Sequence, residues 1–280
     1  MPSTQGDFVA TSAIPAAPTA RHPNLRAPHL SGQRLQERTP AAQLHLLFLG
    51  LSPVTAAAAI LLAGCGVRGF TVIDPRPATW SDATAGAFDL PDIGRARENG
   101  VRRRILAANP QAIASANPAR FPTTAVAGAL VIRARSTLHN DDDPRLTRVS
   151  NRLMDDHRVL DVVSLDGHPP GSTILWPPRP WFARACDECL RTAAGISPPE
   201  PLRVARHEAW PAHTALTAAV TAQHILAVAT SGTSGPADGR STGQESAESQ
   251  QVTVLRPGAP LSQVESVPSP QQTCALCAFP

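Results

Sequence analysis

The hydrophobic pattern divides the chain into short blocks. No Asp, Glu, Lys or Arg occurs between Leu44 and Val67, yet that stretch is not uniform. Residues 44–49 form an apolar block that Gly50 closes. Pro53 follows, where a first helical turn tolerates a residue without an N–H. Residues 55–63 are rich in Ala and Leu and favour helix, until Gly64 and Gly66 interrupt them. Residues 70–73 are a second apolar block ending on Asp74-Pro75. This order predicts strand, turn, helix and strand within roughly 30 residues, the size of a nucleotide-binding unit.

The same regime continues downstream. After Asp92-Ile93-Gly94, a stripe of Val101, Ile105, Leu106 and Ala108 predicts a helix, with Arg102, Arg103 and Arg104 on its wetter side and Asn109-Pro110 at its end. Residues 129–132 read as a buried strand. Residues 144–157 read as a helix, with Asp141, Asp142 and Asp143 supplying a cap and favourable charge at its start. Residues 159–165 read as another strand. The alternation predicts an α/β, Rossmann-like fold: a mainly parallel sheet with helices on both faces. Beyond Gly171 the pattern gives a strand at 172–176, a long helix at 211–229 and a strand at 252–255. Residues 1–40 lack periodicity and are expected to be a disordered tail, with one short helix near 32–37. Residues 41–280 are expected to form one domain, with a flexible Gly/Ser/Thr-rich insertion at 230–250.

The uncharged run admits two other readings. About 20 apolar residues suffice to cross a bilayer, but Gly50, Ser52 and Pro53 interrupt this one. Leu62-Ala63-Gly64-Cys65 has the form of a lipid-attachment site. Such sites belong to short terminal signals, and residues 1–40 carry no apolar segment after a basic start. A cytoplasmic protein without a membrane partner is therefore expected.

Composition narrows the chemistry. The 280 residues are 42% hydrophobic and 17% charged, enough apolar material for a substantial core. A net charge of +3 without a basic patch argues against nucleic acid as a partner. Every basic residue is Arg. Schiff-base chemistry and a Walker-type lysine are excluded, and any phosphate contact falls to a guanidinium, a planar fork suited to phosphate oxygens. Four of the five Cys form two pairs, Cys186 with Cys189 and Cys274 with Cys277. Four thiolates suit a closed tetrahedral zinc site, while two unrelated CxxC pairs are the alternative. Cys65 is left over and is expected to be a small buried apolar residue.

A nucleotide reading places Gly50 at the phosphate turn and Asp74 at the end of the second strand, where an acidic residue roughly 20 positions on receives ribose hydroxyls. The turn, Gly50-Leu51-Ser52-Pro53-Val54-Thr55, keeps only the first Gly, and Pro53 lacks an N–H. Weaker ATP binding than an intact Gly-rich loop gives is expected.

The stretch "LFLGLSPVTAAAAILLAGCGVRGFTVIDP", followed by "DLPDIGRARENGVRRRILAANP", resembles the ThiF/MoeB/E1 family, adenylating enzymes that activate the C-termini of small ubiquitin-like proteins. The helix at 211–229 followed by Ser231-Gly232 also looks like that family. The resemblance implies ATP and magnesium as cofactors, a homodimer, and a structural zinc on Cys186, Cys189, Cys274 and Cys277. It sets Arg97 at the position of the family's phosphate-binding lysine and Gly50, Ser52 and Asp74 around the nucleotide. It departs from the family at the Gly-rich loop, at an Asn and an Arg after the second strand, and at a magnesium-binding Asp, near which Arg133 and Arg135 stand. Two functions follow: a nucleotide-binding scaffold with carboxylate adenylation as its ancestral activity, or a non-catalytic protein that holds a peptide or small protein partner, as relatives do in peptide natural-product pathways.

Overall fold

The computed structural model describes residues 40–121, 129–136, 144, 146, 148, 149, 158–165, 172–180, 189, 211–231, 251–256 and 263–268. Strand β1 (His45–Leu49) leads through Gly50 into helix α1 (Pro53–Gly64) and then β2 (Gly69–Ile73). Ser52 caps α1: its side chain accepts from the Thr55 N–H while the Thr55 side chain answers the Ser52 N–H, and Pro53 occupies the first turn. The expected strand–turn–helix–strand unit is present, so 44–65 is not one continuous helix. Among the described residues no helix is long and apolar enough to cross a membrane.

After β2 come a short helix α2 (Trp80–Thr84), helix α3 (Arg97–Ala108), and strands β3 (Ile113–Ser115), β4 (Ala129–Ser136), β5 (Arg158–Leu165) and β6 (Ser172–Pro180). Helix α4 (Pro211–Ser231) precedes β7 (Gln251–Arg256) and β8 (Gln263–Pro268). Together the strands form one sheet in the order β3-β2-β1-β4-β5-β6-β7-β8. Neighbours from β3 to β5 are parallel, and those from β5 to β8 are antiparallel.

Alternation along each strand makes two cores. Leu46, Phe48, Phe70, Val72, Ile132 and Leu160 pack on one face with Ala58, Leu62, Val101 and Ile225. Leu47, Leu49, Ile73, Val131 and Val159 pack on the other face with Phe121, Leu146 and Val149. Residues 144, 146, 148 and 149 are helical, in keeping with the helix expected there.

Several expectations are corrected. The antiparallel extension was legible only as strands at 172–176 and 252–255; its pairing and β8 were not, nor were β3 and α2. Leu106 is 41% exposed and Ala108 is exposed. Helix α3 buries Glu98, Val101 and Ile105, a narrower stripe than the four apolar residues suggested. Cys65 is exposed rather than buried. It caps α1 through its N–H to the Leu61 carbonyl at 2.9 Å, and so lies one turn beyond Leu61, itself 42% exposed. Of the expected tail at 1–40, residues 1–39 lie outside the described residues and Pro40 opens a 3-10 turn, Pro40–Gln43; the short helix at 32–37 and most of the 230–250 insertion also lie outside.

Candidate functional site

In open parallel sheets, ligands bind outside the carboxyl ends of the strands where the strand order reverses. Here that switch point flanks β1, which has β2 on one side and β4 on the other. Gly50 stands at it with a φ of +69°, a left-handed backbone that favours glycine. A Cβ added there would lie 3.3 Å from the Ala134 carbonyl oxygen and 3.3 Å from Arg76 Nη2. The structure thus places Gly50 at the turn, as expected, and places a guanidinium over it.

Four of the turn's N–H donors are already engaged. Gly50 N–H donates to the Ile73 carbonyl at 2.9 Å. Leu51 N–H donates to Asp74 Oδ2 at 2.7 Å. Ser52 N–H donates to Thr55 Oγ1 at 2.9 Å and Thr55 N–H to Ser52 Oγ at 3.2 Å. Pro53 has no N–H. A helix N-terminus binds anions through such groups, and here they point at the protein itself.

Asp74 is wholly buried. Its Oδ1 accepts from Arg76 N–H at 3.1 Å and Arg76 Nε at 2.8 Å, and its Oδ2 accepts from Arg76 Nη2 at 2.8 Å as well as from Leu51. A carboxylate offers about four lone-pair sites, and these four bonds fill them. Arg97 Nη1 adds an ion pair at 3.8 Å. The Asp74 backbone is held by Glu98, whose Oε2 receives its N–H at 2.9 Å and whose own N–H donates to its carbonyl at 3.2 Å.

Arg97 lies beside the turn. Its Nη1 donates to the Leu51 carbonyl at 2.9 Å, while Nε and Nη2 donate to Asp82 Oδ2 at 3.1 and 2.7 Å. Asp82 also caps α2 by accepting from Thr79 N–H at 2.8 Å. Gly50, Ser52, Asp74 and Arg97, chosen from the sequence, therefore lie together at the turn after β1, with Asp74 and Arg97 both bound to Leu51. Arg76, Asp82 and Glu98 were missed. Thr79-x-x-Asp82 is a readable capping pattern. The Asp74-Pro75-Arg76 tripeptide signals a turn, but nothing local says that the guanidinium folds back.

Within β4, ahead of the place where the resemblance sets a magnesium-binding Asp, stands Arg133. It is buried and forked onto Asp161, its register partner on β5, with Nε–Oδ1 at 2.5 Å and Nη2–Oδ2 at 2.6 Å. Asp141, Asp142 and Asp143 lie outside the described residues. Among the described residues no group of three or more His, Cys, Asp and Glu could hold a metal ion. Of the four expected zinc ligands only Cys189 is described, and it is buried; Cys186, Cys274 and Cys277 lie outside.

No protein-family model matches the chain and no curated protein matches its sequence. Solved structures do match its fold. E. coli MccB with ATP is 14% identical, with a TM-score of 0.53 over 87% of this chain and 70% of that one. The microcin C7 biosynthetic enzyme MccB in complex with N-formylated MccA is 14% identical, with a TM-score of 0.54 over 87% and 69%. E. coli MccB with succinimide is 12% identical, with a TM-score of 0.50 over 84% and 66%. The chain thus spans about two thirds of the length of MccB. MccB is a ThiF/MoeB/E1-like adenylyltransferase, and this chain carries the same kind of fold, at a distance that shows fold alone.

Proposed function

We propose that this chain keeps the scaffold of an adenylating ThiF/MoeB/E1-like enzyme and uses it to hold a peptide or small protein partner, without adenylating it. The observation that supports this is the state of the turn: the N–H groups of Gly50, Leu51, Ser52 and Thr55 all donate within the protein. Phosphate bound there would displace several of these bonds, at about 0.5–1.5 kcal/mol each and more for the bond to the Asp74 carboxylate. Within β4 itself Arg133 is already committed to Asp161, so neither residue supports a magnesium nucleotide there. Adenylation needs a cationic clamp on the developing phosphate charge, and Arg97 is turned towards Asp82.

The partner class follows from the fold comparison. MccB has been solved with MccA, its peptide, and a peptide is therefore the partner class proposed for this chain of similar fold. A homodimer, a structural zinc on Cys186, Cys189, Cys274 and Cys277, and a cytoplasmic setting belong to the same proposal. The test is a titration of the full chain with synthetic peptides encoded beside its own coding sequence, with and without magnesium-ATP. Equal affinity in the two conditions is expected. Peptide binding that appears only with magnesium-ATP would overturn the reading.

A further inference from the structure

We propose that Arg76 is a built-in occupant of the switch-point crevice, lying where the ribose of a nucleotide would sit and keeping nucleosides out. This rests on the reading above and adds to it the residue that closes the site.

Three observations converge on Arg76. Its guanidinium lies at the strand-order reversal itself: Nη2 is 3.3 Å from the position of a Gly50 Cβ, beside Ala134 of β4. Gly50 therefore leaves a space that the guanidinium occupies. The same guanidinium forks onto Asp74, taking one site on each oxygen at 2.8 Å. A ribose presents two adjacent hydroxyl donors to such a carboxylate, and the fork answers both acceptors at once. Finally, Arg76 is only two residues beyond Asp74, and its backbone N–H is bound to the same carboxylate at 3.1 Å. The short tether holds the side chain in place, and at 28% exposure it forms the outer surface of the crevice.

Removal of the side chain opens the crevice and returns one acceptor site on each Asp74 oxygen. The N–H groups of Gly50, Leu51, Ser52 and Thr55 stay engaged, so the phosphates of ATP gain little. The opened protein is thus a nucleoside site rather than a nucleotide site.

The experiment is calorimetric titration of wild-type and Arg76→Ala protein with adenosine, ATP and 2′,3′-dideoxyadenosine, with thermal melts to establish folding. Wild-type protein should take up none of them. Arg76→Ala should bind adenosine and ATP with equal affinity, and dideoxyadenosine at least about tenfold more weakly because two hydrogen bonds are lost. Added methylguanidine should compete with adenosine, and urea at the same concentration should not. Should Arg76→Ala fail to fold, Arg76→Ser is read instead: its short side chain also clears the space over Gly50, and adenosine binding is again expected. A folded variant that binds no adenosine, or binds dideoxyadenosine as well as adenosine, overturns the proposal. Wild-type protein that binds adenosine overturns the proposal as well, whereas wild-type ATP binding that adenosine does not compete and Arg76→Ala leaves unchanged would overturn only the reading of the turn.

Discussion

Leu51 and Asp74, on opposite sides of the β1–β2 crossover, are joined by a 2.7 Å bond from a backbone N–H to a wholly buried carboxylate. That bond ties the turn to the acidic residue expected to serve a ribose, so each already has the other as a partner. Breaking a buried charge pair by removing one member typically costs about 3–5 kcal/mol. Asp74→Ala should fall in that range, leaving Leu51 N–H and Arg76 without their acceptor. Asp74→Asn keeps one acceptor oxygen and should lose clearly less. Urea unfolding midpoints of the two variants check the order, and equal losses would show that the carboxylate's charge is immaterial.

Gly100 lies inside α3, where replacement by Ala ordinarily gains about 1 kcal/mol of helix propensity. Here the gain should reverse. A Cβ on Gly100 would meet Asp92 Cγ at 2.8 Å, and Asp92 is held by Arg103 at 2.9 and 3.0 Å and by the Asp89 N–H at 3.0 Å. Gly100→Ala should lower the melting temperature; an unchanged or higher one would mean that Asp92 moves aside freely.

How much of this was legible depends on range. The β1–α1–β2 unit and its cap could be read because apolar blocks, Pro53 and Gly50 act locally. That Gly50 and Asp74 stand at neighbouring strand ends could be read from the order of elements, whereas Arg97 was singled out only by the resemblance. Arg76 was not, because its role arises from folding back onto a residue two positions away and over a glycine that approaches it only in the sheet. Leu106 and Cys65 were misplaced for a related reason: periodicity identifies a helix but not how much of its apolar arc a neighbour covers. The antiparallel strands β6 to β8 were half seen, since pairing direction depends on connections rather than on composition.

Burial holds two histidines below their usual range. His45 lies against Phe121, ring centroids 5.2 Å apart, with Nε2 3.1 Å from Thr71 Oγ1, and desolvation lowers its pKa. His224 is lowered by the same cause, and its Nε2 is buried without a hydrogen-bond partner among the described residues. A lowered folded pKa means that the unfolded chain binds more protons, so stability rises with pH. Their contribution is whole above the unfolded value of about 6.5 and is lost as pH falls below it through the lowered folded values. Between about pH 7 and pH 5, His45→Asn and His224→Asn should each flatten the loss of unfolding free energy. A steeper loss in either variant would contradict the sign.

The zinc expectation is tested by metal content. Purified protein should carry about one zinc per chain, as a four-thiolate site holds, and Cys189→Ser should release it while leaving the β1–α1–β2 unit folded. Native protein free of zinc, at full occupancy of reduced thiols, would end that expectation.

The central claim is that the fold of an adenylating enzyme persists here with its nucleotide crevice closed by its own residues. ATP–pyrophosphate exchange by the full chain, with magnesium and with a peptide shown to bind it, tests this most directly. No exchange above the protein-free background is predicted, and none in Arg97→Ala. Peptide-dependent exchange in the native chain that Arg97→Ala abolishes would contradict it, showing that Arg97 leaves Asp82 to meet phosphate and that the crevice opens for catalysis.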